Sequence, residues 1–199
     1  GDFLTRNYYH SYGLDTVVSR AFNHEGAGRG KMFVTSVVTN QVMQLKMGLC
    51  DKITIGNVNA FRDWTHVNDI VDGYLTLATK ANSGDVYNQG SMRTNSILSY
   101  ILLSLQEAGY NVEEISTFNG DKKITDPAAI NNDKYYGVAF DKTKVDSMLL
   151  DGEVEYTIED KGIIVKTDKE DVKVEFNAAR FRPAEVPILF SNTEKIQKL

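Results

Sequence analysis

The stretch NVNAFRDWTHVNDIVDGY, residues 57 to 74, passes from a polar turn through an arginine and an acid into a run with helical spacing. Val67, Ile70, Val71, Tyr74, Leu75 and Ala78 recur on one helical face, which predicts a helix with Arg62 and Asp63 in the turn before it. Arg62 is then placed to leave a strand edge and meet a ligand, and a surface contact between Arg62 and Asp63 is the competing reading. Two further polar clusters flank this stretch, RAFNHEGAGRGKMFVT at 20 to 35 and FRPAEV at 181 to 186. Each of the three couples an arginine to local donors, acceptors or an acid, which suits a diphosphate and a ribose better than a bare hydrophobic ligand.

Upstream, Phe3, Leu4, Tyr8, Ser11 and Tyr12 predict a helix that ends at Gly13, and TVVSRAF reads as a buried strand entering a polar loop. Asn23, His24 and Arg29 then lie beyond a strand end, a common ligand position in an open α/β sheet, although a surface loop without function fits the same pattern. Val34, Val37, Val38, Val42 and Leu45 predict a helix, Gly48 a stop, and KITIG a short strand. Downstream, VYNQG predicts a strand, and Leu98, Ile101, Leu102 and Leu105 a helix closed by Gly109. FNGDKKITDPAAINNDKYYG, 118 to 137, is turn-rich and predicts a linker or mobile loop. Residues 153 to 176 alternate apolar and charged side chains around DKG and TDKED, which argues for a small antiparallel β meander with solvated charges. Arg182 and Glu185 are expected to return from that region toward the same cleft as Arg62.

A chain of 199 residues can bury a sizeable core as one domain or part of a larger one. With 42% hydrophobic residues, 25% charged residues and a net charge of -5, it is neither a disordered chain nor a non-specific nucleic-acid binder, so a phosphate ligand needs locally placed arginines. Cys50 is the only cysteine, which excludes an intrachain disulfide framework and fits a cytoplasmic setting. The start carries no signal-peptide pattern and no apolar run is long enough to span a membrane, so no membrane partner is expected. His10, His24 and His66 are isolated and Cys50 has no partner at ligand spacing, so no metal site is expected. No Gly-x-Gly-x-x-Gly turn and no upstream Tyr-x-x-x-Lys pair is found, and residue 1 is therefore expected to be an internal position of a longer protein.

FNHEGAGRGKMFVT, GNVNAFRDWTHVNDIVDGY and FRPAEV, in that order, resemble the C-terminal portion of the extended short-chain dehydrogenase/reductase family, in particular the GDP-mannose 4,6-dehydratases and related nucleotide-sugar epimerases and dehydratases. The resemblance covers most of residues 1 to 112 and resumes at about 172. It implies an α/β, Rossmann-type fold with a core remnant at 1 to 31, a substrate-binding region at 32 to 66, a return to core elements at 67 to 112, and a substrate-binding C-terminal region at 113 to 199. It implies NAD or NADP as cofactor and a nucleotide sugar as substrate, with GDP favoured and UDP, CDP and dTDP open. A homo-dimer or homo-tetramer is implied for the intact enzyme, whose catalytic Tyr and Lys would lie upstream. By the same resemblance, Asn23, Arg62 and Arg182 contact the diphosphate, Glu185 accepts from ribose hydroxyls, and Arg29 lies near the diphosphate or the cofactor. His24 borders the nicotinamide pocket, with Asn23 and Arg29 also beside the cofactor. Val34 and Thr35 approach the nucleotide, with core packing for Val34 and a helix-start role for Thr35 equally open; for Asp63 and Asp69, stabilising backbone donors is the stronger reading. A dehydratase is favoured over a 4-epimerase or a non-catalytic nucleotide-sugar-binding fragment, and this chain alone is expected to be inactive.

Overall fold

The computed structural model describes residues 1–181 and 184–199. In chain order the elements are α1 (Asp2–Tyr12), β1 (Val18–Ala21), β2 (Asn23–Glu25), α2 (Val34–Lys46), β3 (Lys52–Ile55), β4 (Phe61–Arg62), β5 (Trp64–His66) and α3 (Val67–Lys80). There follow β6 (Val86–Gln89), β7 (Asn95–Ser96), α4 (Ile97–Glu107), β8 (Val112–Thr117), β9 (Ile124–Thr125), β10 (Ile130–Tyr135), β11 (Val138–Thr143), α5 (Lys144–Leu150), β12 (Gly162–Thr167) and β13 (Val172–Phe176). They group into two compact units interleaved along the chain, one formed by residues 1–28, 62–94 and 189–199 and the other by residues 29–61 and 95–188.

In the first unit, α1 stops where Gly13 takes the left-handed conformation (φ 66°) and returns its N–H to Tyr9 O. Strand β1 pairs in parallel with β6, Val18 opposite Val86 and Ala21 opposite Gln89, and β2 pairs in parallel with β5. α3 packs on β1 and β2. The α3 stripe is less buried than its spacing predicts: Ile70 and Leu77 are buried, whereas Val71, Tyr74 and Leu75 are exposed. α1 likewise buries none of its residues. Helical periodicity identifies the element correctly but not how much of its apolar face is covered, which depends on what packs there.

The second unit is built on a five-stranded mixed sheet in the order β3-β13-β12-β8-β9. The predicted meander is present as the antiparallel pair β12 and β13, which extends to β8 and β9 on one side, while β13 pairs in parallel with β3 on the other. Residues before Gly162 add a 3-10 turn at Ile158–Asp160 rather than a strand. Part of the meander's charge is paired rather than merely solvated, with Lys52 Nζ 2.6 Å from Glu175 and Lys166 Nζ 3.2 Å from Glu114. α4 packs on β8 and against α2 and α5. Its spacing puts Leu98, Ile101, Leu102 and Leu105 on a face with no solvent exposure, and Ser96 caps it by accepting from Ser99 N at 3.0 Å. Each such fully buried aliphatic side chain stabilises the unit by roughly 1.5–3 kcal/mol.

The segment 118 to 137 corrects its expectation as a linker. β10 and β11 form a six-pair antiparallel hairpin, closed at Tyr136 (φ 52°) and Gly137 (φ 81°). Two consecutive positive φ angles are the requirement of the tight hairpin turn whose twist matches its strands. Its strand character is hidden in sequence because β10 is exposed along nearly its whole length, leaving no alternation of polar and apolar residues. α5 follows directly, capped by Thr143, whose hydroxyl accepts from Asp146 N.

Candidate functional site

In the first unit, Asn23 and His24 lie beyond the end of β1 as expected, but in a second short strand rather than a loop: they are the first two residues of β2, opposite Trp64 and Thr65 of β5. Consecutive strand residues face opposite sides, so the two side chains are presented to different faces of this pair. Both are half-buried. His24 Nδ1 is 2.9 Å from Phe22 O. A carbonyl can only accept, so Nδ1 carries the proton, and in the neutral ring Nε2 is the acceptor. The backbone here tolerates little: a Cβ at Gly26 would fall on the Val67 side chain at the start of α3.

Arg62 is half-buried and ends β4 rather than lying in a turn, because β5 intervenes before α3. Asp63 makes no surface contact. It is wholly buried, and its carboxylate accepts from Ser91 N (2.8 Å), Ser91 Oγ (2.7 Å), Ser191 N (3.0 Å) and Ser191 Oγ (2.5 Å). This matches the reading of Asp63 as a loop acid that satisfies backbone donors. Asp69 stands exposed in the first turn of α3, where a negative charge is favoured, but the cap is His66, whose Nδ1 accepts from Asn68 N at 3.3 Å.

In the second unit, the Arg29 guanidinium stacks over the Phe33 ring, 3.6 Å from its centroid, and Ser36 Oγ donates to Arg29 O at 3.0 Å. These contacts hold the GAGRGKMF loop to the first turn of α2. Val34 opens that helix half-buried, and Thr35 is buried in its first turn. Thr35 does not cap the helix: Phe33 occupies the N-cap position without a side-chain cap bond. Glu185 is half-buried. Just after it, Pro187 O accepts from Phe61 N at 2.7 Å and Ile188 bridges in parallel to Phe61. Arg182 lies outside the described residues.

The asparagines of GNVN are scaffold. Asn59 Nδ2 donates to Tyr156 O (2.6 Å) and Asn59 Oδ1 accepts from Tyr156 N (2.9 Å), while Asn57 Oδ1 accepts from Asn59 N and Nδ2. A Cβ at Gly56 would press on Arg180 O, so only glycine fits there. Burial raises the Tyr156 phenol well above its ordinary range. Nearby, burial works to raise the Asp160 carboxyl, and hydrogen bonds from Lys122 and the Thr157 backbone outweigh it, so the group sits below its ordinary value. Among the described residues no group of three or more His, Cys, Asp or Glu side chains could hold a metal ion. No helix of the described residues is long and apolar enough to cross a membrane.

Sequence reasoning missed the partners of Asp63. Ser91 lies 28 residues away and Ser191 lies 128 residues away, and neither serine stands in a recognisable pattern. The one available signal is the acid that directly follows an arginine at the end of a strand.

A mixed five-stranded sheet with helices packed on it defines an α/β protein. The family model of the GDP-mannose 4,6 dehydratases matches residues 1–153, and the chain belongs to that family. A GDP-mannose 4,6-dehydratase from Yersinia enterocolitica is 32% identical over 136 residues, 67% of this chain and 35% of that protein. One from Sinorhizobium fredii is 28% identical over 152 residues, 75% of this chain and 42% of that protein. The solved structure of RMD from Pseudomonas aeruginosa complexed with NADPH is similar with a TM-score of 0.52 and 30% identity, covering 54% of this chain and 36% of that one. The chain thus spans less than half the length of each of these relatives.

Proposed function

We propose that this chain is the substrate-binding portion of an NAD- or NADP-dependent nucleotide-sugar dehydratase that takes a GDP-sugar. The observation that carries this reading is the family match over residues 1–153. Relatives named GDP-mannose 4,6-dehydratase and a solved structure of RMD with NADPH support the substrate class and the cofactor class.

In this reading Arg62 and Arg182 hold the diphosphate, whose planar pairs of oxygens match a guanidinium fork, and Asn23 adds a neutral orienting bond. Glu185 accepts from the ribose hydroxyls, Arg29 lies beside the diphosphate, and Val34 and Thr35 approach the nucleotide. The His24 tautomer set by Phe22 O offers Nε2 as an acceptor for a dinucleotide, and the family resemblance adds Asn23 and Arg29 beside the cofactor. A bound nicotinamide would supply reversible hydride chemistry; the residues of this chain bind and orient. The intact protein is a cytoplasmic homo-dimer or homo-tetramer, and the 199-residue chain alone does not convert a nucleotide sugar with added NAD or NADP.

Calorimetric titration of the chain with GDP, UDP, CDP and dTDP in magnesium-free buffer tests the reading. Saturable binding with GDP preferred is the expected result, and Arg62→Ala weakens it. Preference for another base reassigns the nucleotide, and no binding of any of the four means that the rest of the intact protein is needed to form the pocket or that the main role of this chain is structural.

A further inference from the structure

We propose that Asp63 is a positioning residue for Arg62, fixing the strand end from which that guanidinium reaches a nucleotide diphosphate. This rests on the role given to Arg62 above. Asp63 is wholly buried, and each of its oxygens already accepts twice: Oδ1 from Ser91 N and Oγ, Oδ2 from Ser191 N and Oγ. A carboxylate offers about four lone-pair directions. All are in use, so Asp63 has no capacity left for a ligand, and its effect on one must pass through its neighbours.

The surroundings are built for this knot. Met92 takes φ 54°, an uncommon conformation for a side chain of its size, and its N–H donates to Ser191 Oγ at 3.2 Å. A Cβ at Gly90 would fall on the Ser191 side chain and stand 3.2 Å from Asp63 Oδ2. Thr94 Oγ1 donates to Leu189 O at 2.8 Å, closing the same arrangement from the other side. One carboxylate therefore ties residues 90 to 94 and 189 to 192 to the peptide that follows Arg62. A long guanidinium side chain binds a diphosphate well only when its own backbone is held to about 0.5 Å. A buried acid with four donors on the adjacent residue supplies that restraint without competing for the ligand.

The test is a double-substitution cycle on the 199-residue chain, read as affinity for GDP and for guanosine, which lacks the diphosphate. Asp63→Asn keeps the shape but turns one acceptor into a donor that faces donors. It is expected to weaken GDP binding about tenfold while leaving guanosine binding unchanged. Added to Arg62→Ala, it is expected to cause no further loss of GDP affinity. Ser191→Ala, which removes one hydroxyl donor and keeps the backbone bond, gives a smaller loss of the same kind and serves if Asp63→Asn does not fold. Equal loss for GDP and guanosine, additive losses with Arg62→Ala, or unchanged GDP affinity in both Asp63→Asn and Ser191→Ala would each overturn the inference and leave the function of Arg62 intact. Unchanged GDP affinity in Arg62→Ala overturns the diphosphate role itself and the inference with it.

Discussion

α4 of the unit formed by residues 29–61 and 95–188 buries Ile97, Leu98, Ser99, Ile101, Leu102 and Leu105, whereas in the other unit α1 buries nothing and α3 buries only Ile70 and Leu77. The contrast continues in the sheets. Five strands with Ile115, Ile163, Val165, Val172 and Val174 wholly inside form one core, while the other unit has parallel pairs of only two strands, β1 with β6 and β2 with β5. Two-stranded sheets are marginal by themselves, and parallel ones ordinarily need cover on both faces. The first unit carries directed buried hydrogen bonds, the four donors on Asp63 and the bond from buried Gln89 to Ser19. Non-directional burial tolerates small movements, but a saturated carboxylate does not, and so the polar unit is the one suited to fixing individual side chains.

The comparison can be broken most sharply at Leu102. Leu102→Ala is expected to lower stability by roughly 2–5 kcal/mol in denaturant unfolding, with hydrogen-exchange protection lost first in α4, β8 and β12. Protection lost to the same degree in β1 and β6 would show that the two units do not differ in what holds them. Next in size, Asp63→Asn is expected to cost about 1–3 kcal/mol, with faster exchange at the Ser91 and Ser191 amides. Normal protection at both amides would remove the hydrogen-bond half of the contrast. Gly137→Ala forces a side chain into φ 81° at the hairpin turn and is expected to cost about 1 kcal/mol, seen as exchange confined to β10 and β11. No change in the midpoint would mean that the hairpin contributes nothing to its unit.

The smallest effect sharpens the electrostatic side. Because the folded Asp160 carboxyl lies below its unfolded value, its stabilisation is present above the ordinary carboxylate pKa and is lost as pH falls through the lowered folded value. Lys122, partly exposed and 2.6 Å from Asp160, is one source of that lowering. Lys122→Met is therefore expected to lower the melting temperature slightly at pH ~7 and not at pH ~2. An equal decrease at both would assign the loss to the ammonium's place over the Tyr156 ring, 5.7 Å from its centroid and present at both pH values, rather than to the ion pair with Asp160.

The candidate residues are legible one by one, as proposals: Arg62 because an arginine and an acid precede a clear helical stripe, and Asn23, His24 and Arg29 because a short apolar run opens into a glycine-rich loop. Their local conformations were less so: Asn23 and His24 are strand residues, and Arg62 closes a strand, since two- and three-residue strands leave no periodicity to detect. The hairpin at 130 to 143 is not legible in the sequence for the related reason that its exposed strand has no apolar face.

By itself the sequence determined the helices at 2 to 12, 34 to 46, 67 to 80 and 97 to 107, the stops near Gly13, Gly48 and Gly109, the β12 and β13 pair, and membership of the family. These are local signals, set by side-chain spacing within a turn or a pleat and by the few residues that tolerate positive φ. Only the tertiary structure decided that β13 runs parallel to β3, Lys173 opposite Lys52, that the apolar faces of α1 and α3 stay largely uncovered, and that two distant serines saturate Asp63. Strand partners and hydrogen-bond donors are chosen by which segments meet in space, and no short window of the chain contains that information.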